Sequence, residues 1–247
     1  MERPRLLLVP QLTELEWLIR PQLEEWAEIA TYDAPGVGEE PPVDAFGSEA
    51  VARRGLDEAE RCGWDRFFVA ADEFGVAAAT SLAVQARDRV EGIALGHARL
   101  SNSLEGGRPA VNRQVHEACV SMMQTDYRMF VRQLFKLTGG EDSAGGFGES
   151  LVEAYMARVP LELDLPFWER RSFEGERIAE RMEQLRGLPV LLARHKGCLL
   201  FTDEGFEDAV AAFPEAVAVT CAEKPGTSPE FAHALREFCL RHATARA

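Results

Sequence analysis

The sequence predicts an α/β protein: a mostly parallel sheet of about six strands, with helices on both faces. Three observations carry that expectation. Short apolar runs alternate with longer amphipathic stretches along both ends of the chain. Acidic and hydroxyl residues stand where the amphipathic stretches begin. The chain has 247 residues, 46% of them apolar, enough for one substantial core with an insertion.

Taken in order, Leu6-Leu7-Leu8-Val9 reads as a buried strand. Thr13 to Glu16 reads as a capping box, with the Thr hydroxyl and Glu carboxylate serving free helix-start N–H groups. The helix it opens is expected to run to about Trp26. A second strand spans Glu28 to Tyr32 and ends in the turn Asp33 to Gly38. A helix over Ser48 to Arg61 leads to a strand over Arg66 to Ala71. An Ala-rich helix follows over Phe74 to Ala86, then a strand over Arg89 to His97.

Over residues 98–185 no strand is expected. Helical stretches near 111–137, 147–157 and 172–186 are joined by glycine-rich segments at Gly106-Gly107 and Gly139 to Gly148. Residues 98–187 therefore read as a helical insertion, a lid, in a core made of 1–97 and 188–247. Strands resume at Leu188 to Ala193 and Ala216 to Cys221. Helices over Asp203 to Phe213 and Pro229 to His242 complete the pattern.

Composition narrows the function classes. A net charge of −14 argues against nucleic acid, which needs clustered Lys and Arg, and against an anionic membrane surface. The five cysteines are odd in number and form no CxxC pair, so neither a disulfide framework nor a zinc site is expected. No HExxH, EF-hand or P-loop pattern occurs, so no cofactor is expected. The N-terminus holds too few apolar residues for a signal peptide. The expectation is a soluble cytoplasmic protein acting on or binding a small molecule.

Ligands of open parallel sheets bind at the carboxyl ends of the strands. Gln11, Leu12, Asp33, Asp72, Glu73, Phe74, His97, His195, Cys198 and Lys224 follow those ends. Several pieces, in their order, resemble the α/β-hydrolase family. LLLVPQLTELEWLIRPQL (6–23) is similar to its first strand, oxyanion loop and helix. YDAPGVGEE (32–40) resembles its D-x-x-G-x-G turn, and WDRFFVAADEFGVAAATSLA (64–83) its strand-elbow-helix unit. LPVLLARHKGC (188–198) and PEAVAVTCAEKPGTSPEFAHALREFCL (214–240) resemble its last strands and closing helix. The insertion falls where that family carries its lid, and the family's N-terminal hairpin has no room.

The resemblance implies a Ser-acid-His triad, and its positions hold other residues. The elbow G-x-S-x-G reads Ala71-Asp72-Glu73-Phe74-Gly75, with Glu73 at the nucleophile position. The acid position falls near Cys198, and the histidine position near Pro225 to Thr227, where there is none.

A carboxylate at a helix start is favoured as an anion. Glu73 is placed to reach the N–H groups of Leu12 and Phe74 and so fill the oxyanion pocket. It then binds a small molecule together with Gln11, Leu12, Asp72, Phe74 and Tyr127, or it merely caps its helix in a silent scaffold protein. In the remaining alternative it is an atypical base or nucleophile, helped by His97 or His195. Met122, Phe130 and Leu134 of the insertion are candidate pocket or packing residues. Arg113, Arg128 and Arg132 meet an anionic ligand or form a solvated face.

Overall fold

The computed structural model describes residues 2–101, 109–139, 149–169 and 177–243. The glycine-rich links at 106–107 and 140–148 lie outside them. So does the start of the helix expected at 172–186.

Six strands form one sheet in the order β2-β1-β3-β4-β5-β6. They are β1 (Arg5–Val9), β2 (Glu28–Thr31), β3 (Phe67–Ala71), β4 (Val90–Gly96), β5 (Val190–His195) and β6 (Val217–Cys221). Every neighbouring pair is parallel, so the expected "mostly parallel" sheet is wholly so. All six strands therefore end at one edge.

Alternation along the strands splits the core in two. Leu6, Leu8, Phe68, Ala70, Leu191 and Ala193 face α1 (Arg20–Glu24) and α10 (Pro229–His242), where Leu23, Phe231, Leu235 and Phe238 close over them. Leu7, Val9, Val69, Ala71, Ile93 and Leu192 face the other way. They meet α2 (Ser48–Arg61), α3 (Gly75–Gln85) and α9 (Asp203–Ala212) through Val51, Val76, Leu82 and Phe206. Burial on both faces explains why the strands read as continuous apolar runs.

Between β4 and β5 the described residues supply α4 (Arg113–Thr125), α5 (Tyr127–Gly139), α6 (Glu149–Arg158), α7 (Leu161–Glu169) and α8 (Ile178–Gln184). Two expectations need correction. The stretch expected as one helix over 111–137 breaks at Asp126. That residue is extended (φ −153°), and its carboxylate accepts the Met129 N–H that opens α5. The helix expected from Thr13 to Trp26 is a single 3₁₀ turn, Glu14–Glu16, followed by the separate α1 with Pro21 in its first turn. Among the described residues no helix is long and apolar enough to cross a membrane.

Candidate functional site

Among the described residues, two other than glycine adopt positive φ, and both stand at strand ends on the carboxyl edge: Glu73 (49°) after β3 and His97 (47°) after β4. Strain of this kind persists only where surroundings enforce it. Arg99 supplies the enforcement. Its Nη1 donates to the carbonyls of both Glu73 and His97 at 2.9 Å. Its guanidinium lies 4.3 Å from the ring centroid of Phe201. Sequence reasoning missed Arg99, because a buried arginine shows no periodic signal.

The Glu73 carboxylate pairs with Lys224 Nζ at 3.1 Å, and both side chains are buried. Burial alone would lower the lysine's pKa. The carboxylates of Glu73, Asp72 and Glu16 outweigh it and hold the ammonium charged. Lys224 follows β6, directly before Pro225 to Thr227, where the family histidine was sought. It was seen in the sequence only as a loop residue.

The expected bond from Glu73 to the Leu12 N–H is replaced. Glu16 turns back from the 3₁₀ turn and accepts the N–H groups of Gln11 (2.8 Å), Leu12 (3.1 Å) and Thr13 (3.3 Å). Burial raises the Glu16 carboxyl to about 7, against Lys224 and the bonds from Gln11 and Leu12. The capping box was legible; that its acid closes over the backbone N–H groups that follow β1 was not.

Asp72 contacts His97 and the backbone. Its Oδ1 lies 2.7 Å from His97 Nδ1 and accepts the Glu73 N–H at 2.8 Å, while Oδ2 accepts the Gly226 N–H at 2.9 Å. Gly96 makes the room: a Cβ there would sit 2.5 Å from Asp72 Oδ1. Burial opposes the Asp72 charge, but His97 and Lys224 prevail and hold the carboxyl down to about 2. Burial likewise opposes the imidazolium, and Asp72 overrides it, raising His97 to about 10.

His195 ends β5 and Cys198 lies one turn on. The Cys198 N–H donates to the His195 carbonyl at 3.4 Å, and Gly197 takes φ 91° between them. This turn brings both side chains beside His97. The imidazole rings meet edge to face at 6.4 Å, and donor atoms of His97, His195 and Cys198 all lie within 4.8 Å of one another. Burial raises the thiol pKa. Hydrogen bonding by His195 and His97, with the N–H that Phe201 donates to Sγ at 3.4 Å, brings it down to about 6.

A cavity of about 60 Å³ opens over this floor. Its floor holds Glu73, Lys224, His97, His195 and Cys198, and its walls include Met122, Phe130, Leu134 and Trp168. The volume admits several waters or a compact ligand. Gln11 lies in a smaller adjoining hollow with Glu16 and Tyr155.

Of the residues expected to bind a ligand, Asp72 lies behind His97, and Leu12, Phe74 and Tyr127 also do not line the cavity. Leu12 is buried in the core. Phe74 packs edge-on against Phe167, Trp168 and Phe201. The Tyr127 hydroxyl donates to the Val159 carbonyl (2.7 Å) and contacts Asp164 (2.9 Å). Asp33 does more than shape its own turn: it accepts from Thr13 Oγ1, the Glu14 N–H and Arg158. Arg128 and Arg132 pair with Glu149 on the surface.

No family model and no curated protein sequence matches the chain. Solved structures do. A hydrolase from Oleispira antarctica superposes with a TM-score of 0.77 at 14% identity, over 97% of this chain and 92% of that one. The enol-lactonase of Burkholderia xenovorans LB400 gives 0.74 at 15% identity, over 98% and 92%. The bromoperoxidase of Bacillus anthracis gives 0.72 at 16% identity, over 96% and 90%. With the parallel sheet and the strained strand-to-helix turn at Glu73, these likenesses show that the chain has the α/β-hydrolase fold.

Proposed function

We propose that this protein binds a compact, largely apolar small molecule beneath a lid formed by residues 98–187, without triad hydrolysis. One observation carries the reading: the elbow carboxylate Glu73 is already neutralised by the buried Lys224. A nucleophile held in an ion pair must break that pair before attacking, at the cost of separating two buried charges. His97 does not serve as its activating base in this reading, because Asp72 holds its imidazole protonated, raised to about 10, so Nε2 carries a proton and not a free lone pair. The oxyanion-loop N–H groups of Gln11 and Leu12 are engaged by Glu16, so they are not poised for a developing oxyanion.

The cavity's own chemistry defines the ligand. Val115, Met122, Phe130, Leu134 and Trp168 favour an apolar body. The Glu73–Lys224 pair offers one acceptor and one donor to a polar end.

A thermal-shift screen of small apolar alcohols, amides, esters and lactones, run with chelator present, tests the reading. A binder at 100 times its Kd stabilises by about 2.7 kcal/mol, and quenching of Trp168 fluorescence reports occupancy. Met122→Trp fills the cavity and should abolish the shift. A shift unchanged by Met122→Trp, or steady turnover of an ester or lactone that Glu73→Gln abolishes, overturns the proposal.

A further inference from the structure

The cavity floor carries three donors that the small-molecule reading does not use. We propose that His97, His195 and Cys198 bind one divalent transition-metal ion of the zinc class, with a fourth coordination position open to the cavity. The sequence shows no metal motif, since His97 lies 98 residues before His195. Only the parallel topology, which ends β4 and β5 side by side, brings the donors together.

Four features support the site. His97 Nδ1 is held by Asp72, which leaves Nε2 as the donor atom. That nitrogen is buried on a residue only 4% exposed, makes no hydrogen bond of ordinary geometry, and has the Cys198 sulfur as its neighbour in the cluster. An imidazole fixed by a carboxylate on its far nitrogen is the arrangement that orients metal-ligating histidines. Second, the donor set is two imidazoles and a thiolate, which suits zinc and its neighbours and excludes magnesium and calcium. Third, the Cys198 sulfur accepts the Phe201 N–H, which stabilises its anionic form. Fourth, with His97 neutral as a ligand, Asp72, Glu73 and a Cys198 thiolate stand against Lys224 and Arg99, so one negative charge remains to meet the dication.

Donors in a tetrahedral site stand about 3.5 Å apart. The observed limit of 4.8 Å asks side-chain rotation to draw them in by about 1 Å. His195 and Cys198, half-buried on a surface turn, can make that adjustment. Thiolate and imidazole donors bind metal only when deprotonated, so metal entry releases protons and affinity rises with pH.

The test uses the full chain, free of any histidine tag and stripped by chelator, titrated with Co²⁺ under absorption spectroscopy. One equivalent should produce thiolate-to-cobalt charge-transfer bands and the intense visible bands of a four-coordinate ion. Zn²⁺ should bleach both. Cys198→Ser should remove the charge-transfer bands, and His195→Ala should weaken binding at least about 10-fold. Asp72→Asn should retain the bands with affinity about 10- to 100-fold lower. Melting curves establish that each variant folds; if Cys198→Ser does not, His195→Ala decides.

Absence of charge-transfer bands in the parent protein overturns the proposal. So do equal bands in Cys198→Ser, which would assign the ion to Cys62 or Cys119. Alkylation of Cys198 that Zn²⁺ fails to slow also overturns it, and would leave a reactive thiolate as the occupant's role. The organic-ligand reading is tested in metal-free protein, so either proposal can fail alone.

Discussion

Lys224 and Cys198 show how much chemistry a single position acquires from its neighbours. Lys224 reads in the sequence as a loop cation before a proline, yet it is 6% exposed and clamped to Glu73. Removing it should strand a buried carboxylate. Lys224→Met is expected to cost about 3–5 kcal/mol in denaturant unfolding, and Glu73→Gln in the same chain should recover most of the loss. A single-variant cost below about 1 kcal/mol would mean that water reaches Glu73 freely. Cys198 reads as a small buried hydrophobe, and becomes an acidified thiol beside two histidines. In metal-free protein, its iodoacetamide labelling rate should rise with a midpoint at about pH 6. His97→Ala should move that midpoint up toward the ordinary thiol value of 9.0. Mass mapping identifies the labelled site; a midpoint that stays put in His97→Ala would remove His97 from the thiol's environment.

Elements were legible where apolar periodicity and end signals agreed. The helix Ser48–Arg61 and the helix Pro229–His242 stand at the bounds their sequences announce, the second with Ser228 accepting the Phe231 N–H as its cap. The helix Leu161–Glu169 was not foreseen: Pro166 lies inside it, and the Pro160 carbonyl accepts the Leu163 and Asp164 N–H groups that open it. Strand ends were harder, since what fixes them is contact across the sheet. Gly96, the last residue of β4, illustrates this. A side chain there would meet Asp72 Oδ1 at 2.5 Å and Pro225 Cβ at 2.7 Å. Gly96→Ala should destabilise by about 1–3 kcal/mol through overpacking. It should also push Asp72 away from His97. NMR titration of the imidazole would then show its pKa falling from about 10 toward 6.5. An unchanged titration would show that Asp72 yields without losing the contact.

At the scale of the molecule, the sheet was legible because both faces are buried and the strands read as apolar runs. The site was not, because Glu16, Asp72, Glu73, His97, His195, Cys198 and Lys224 are scattered along the sequence and meet only where parallel strands end together. That convergence of charge gives metal-free protein a stepped pH dependence of stability. Asp72, lowered from 3.8 to about 2, contributes stability present above 3.8 and lost as pH falls toward 2. Burial raises Asp164 and Glu16 to about 7, so the native state keeps their protons longer than the unfolded chain does. Stability therefore drops as pH rises from about 4.5 to 7, by up to about 1.4 kcal/mol per pH unit for each group. Above that range two shifts oppose each other. His97, raised from 6.5 to about 10, favours the native state less as pH rises, whereas Cys198, lowered from 9.0 to about 6, favours it more. Denaturant unfolding should show a maximum near pH 4.5, a decline to pH 7 and a plateau to about pH 9. Cys198→Ser removes the compensating group and should turn the plateau into a continued decline. A plateau that survives in Cys198→Ser would mean that the thiol and the imidazole do not titrate as neighbours.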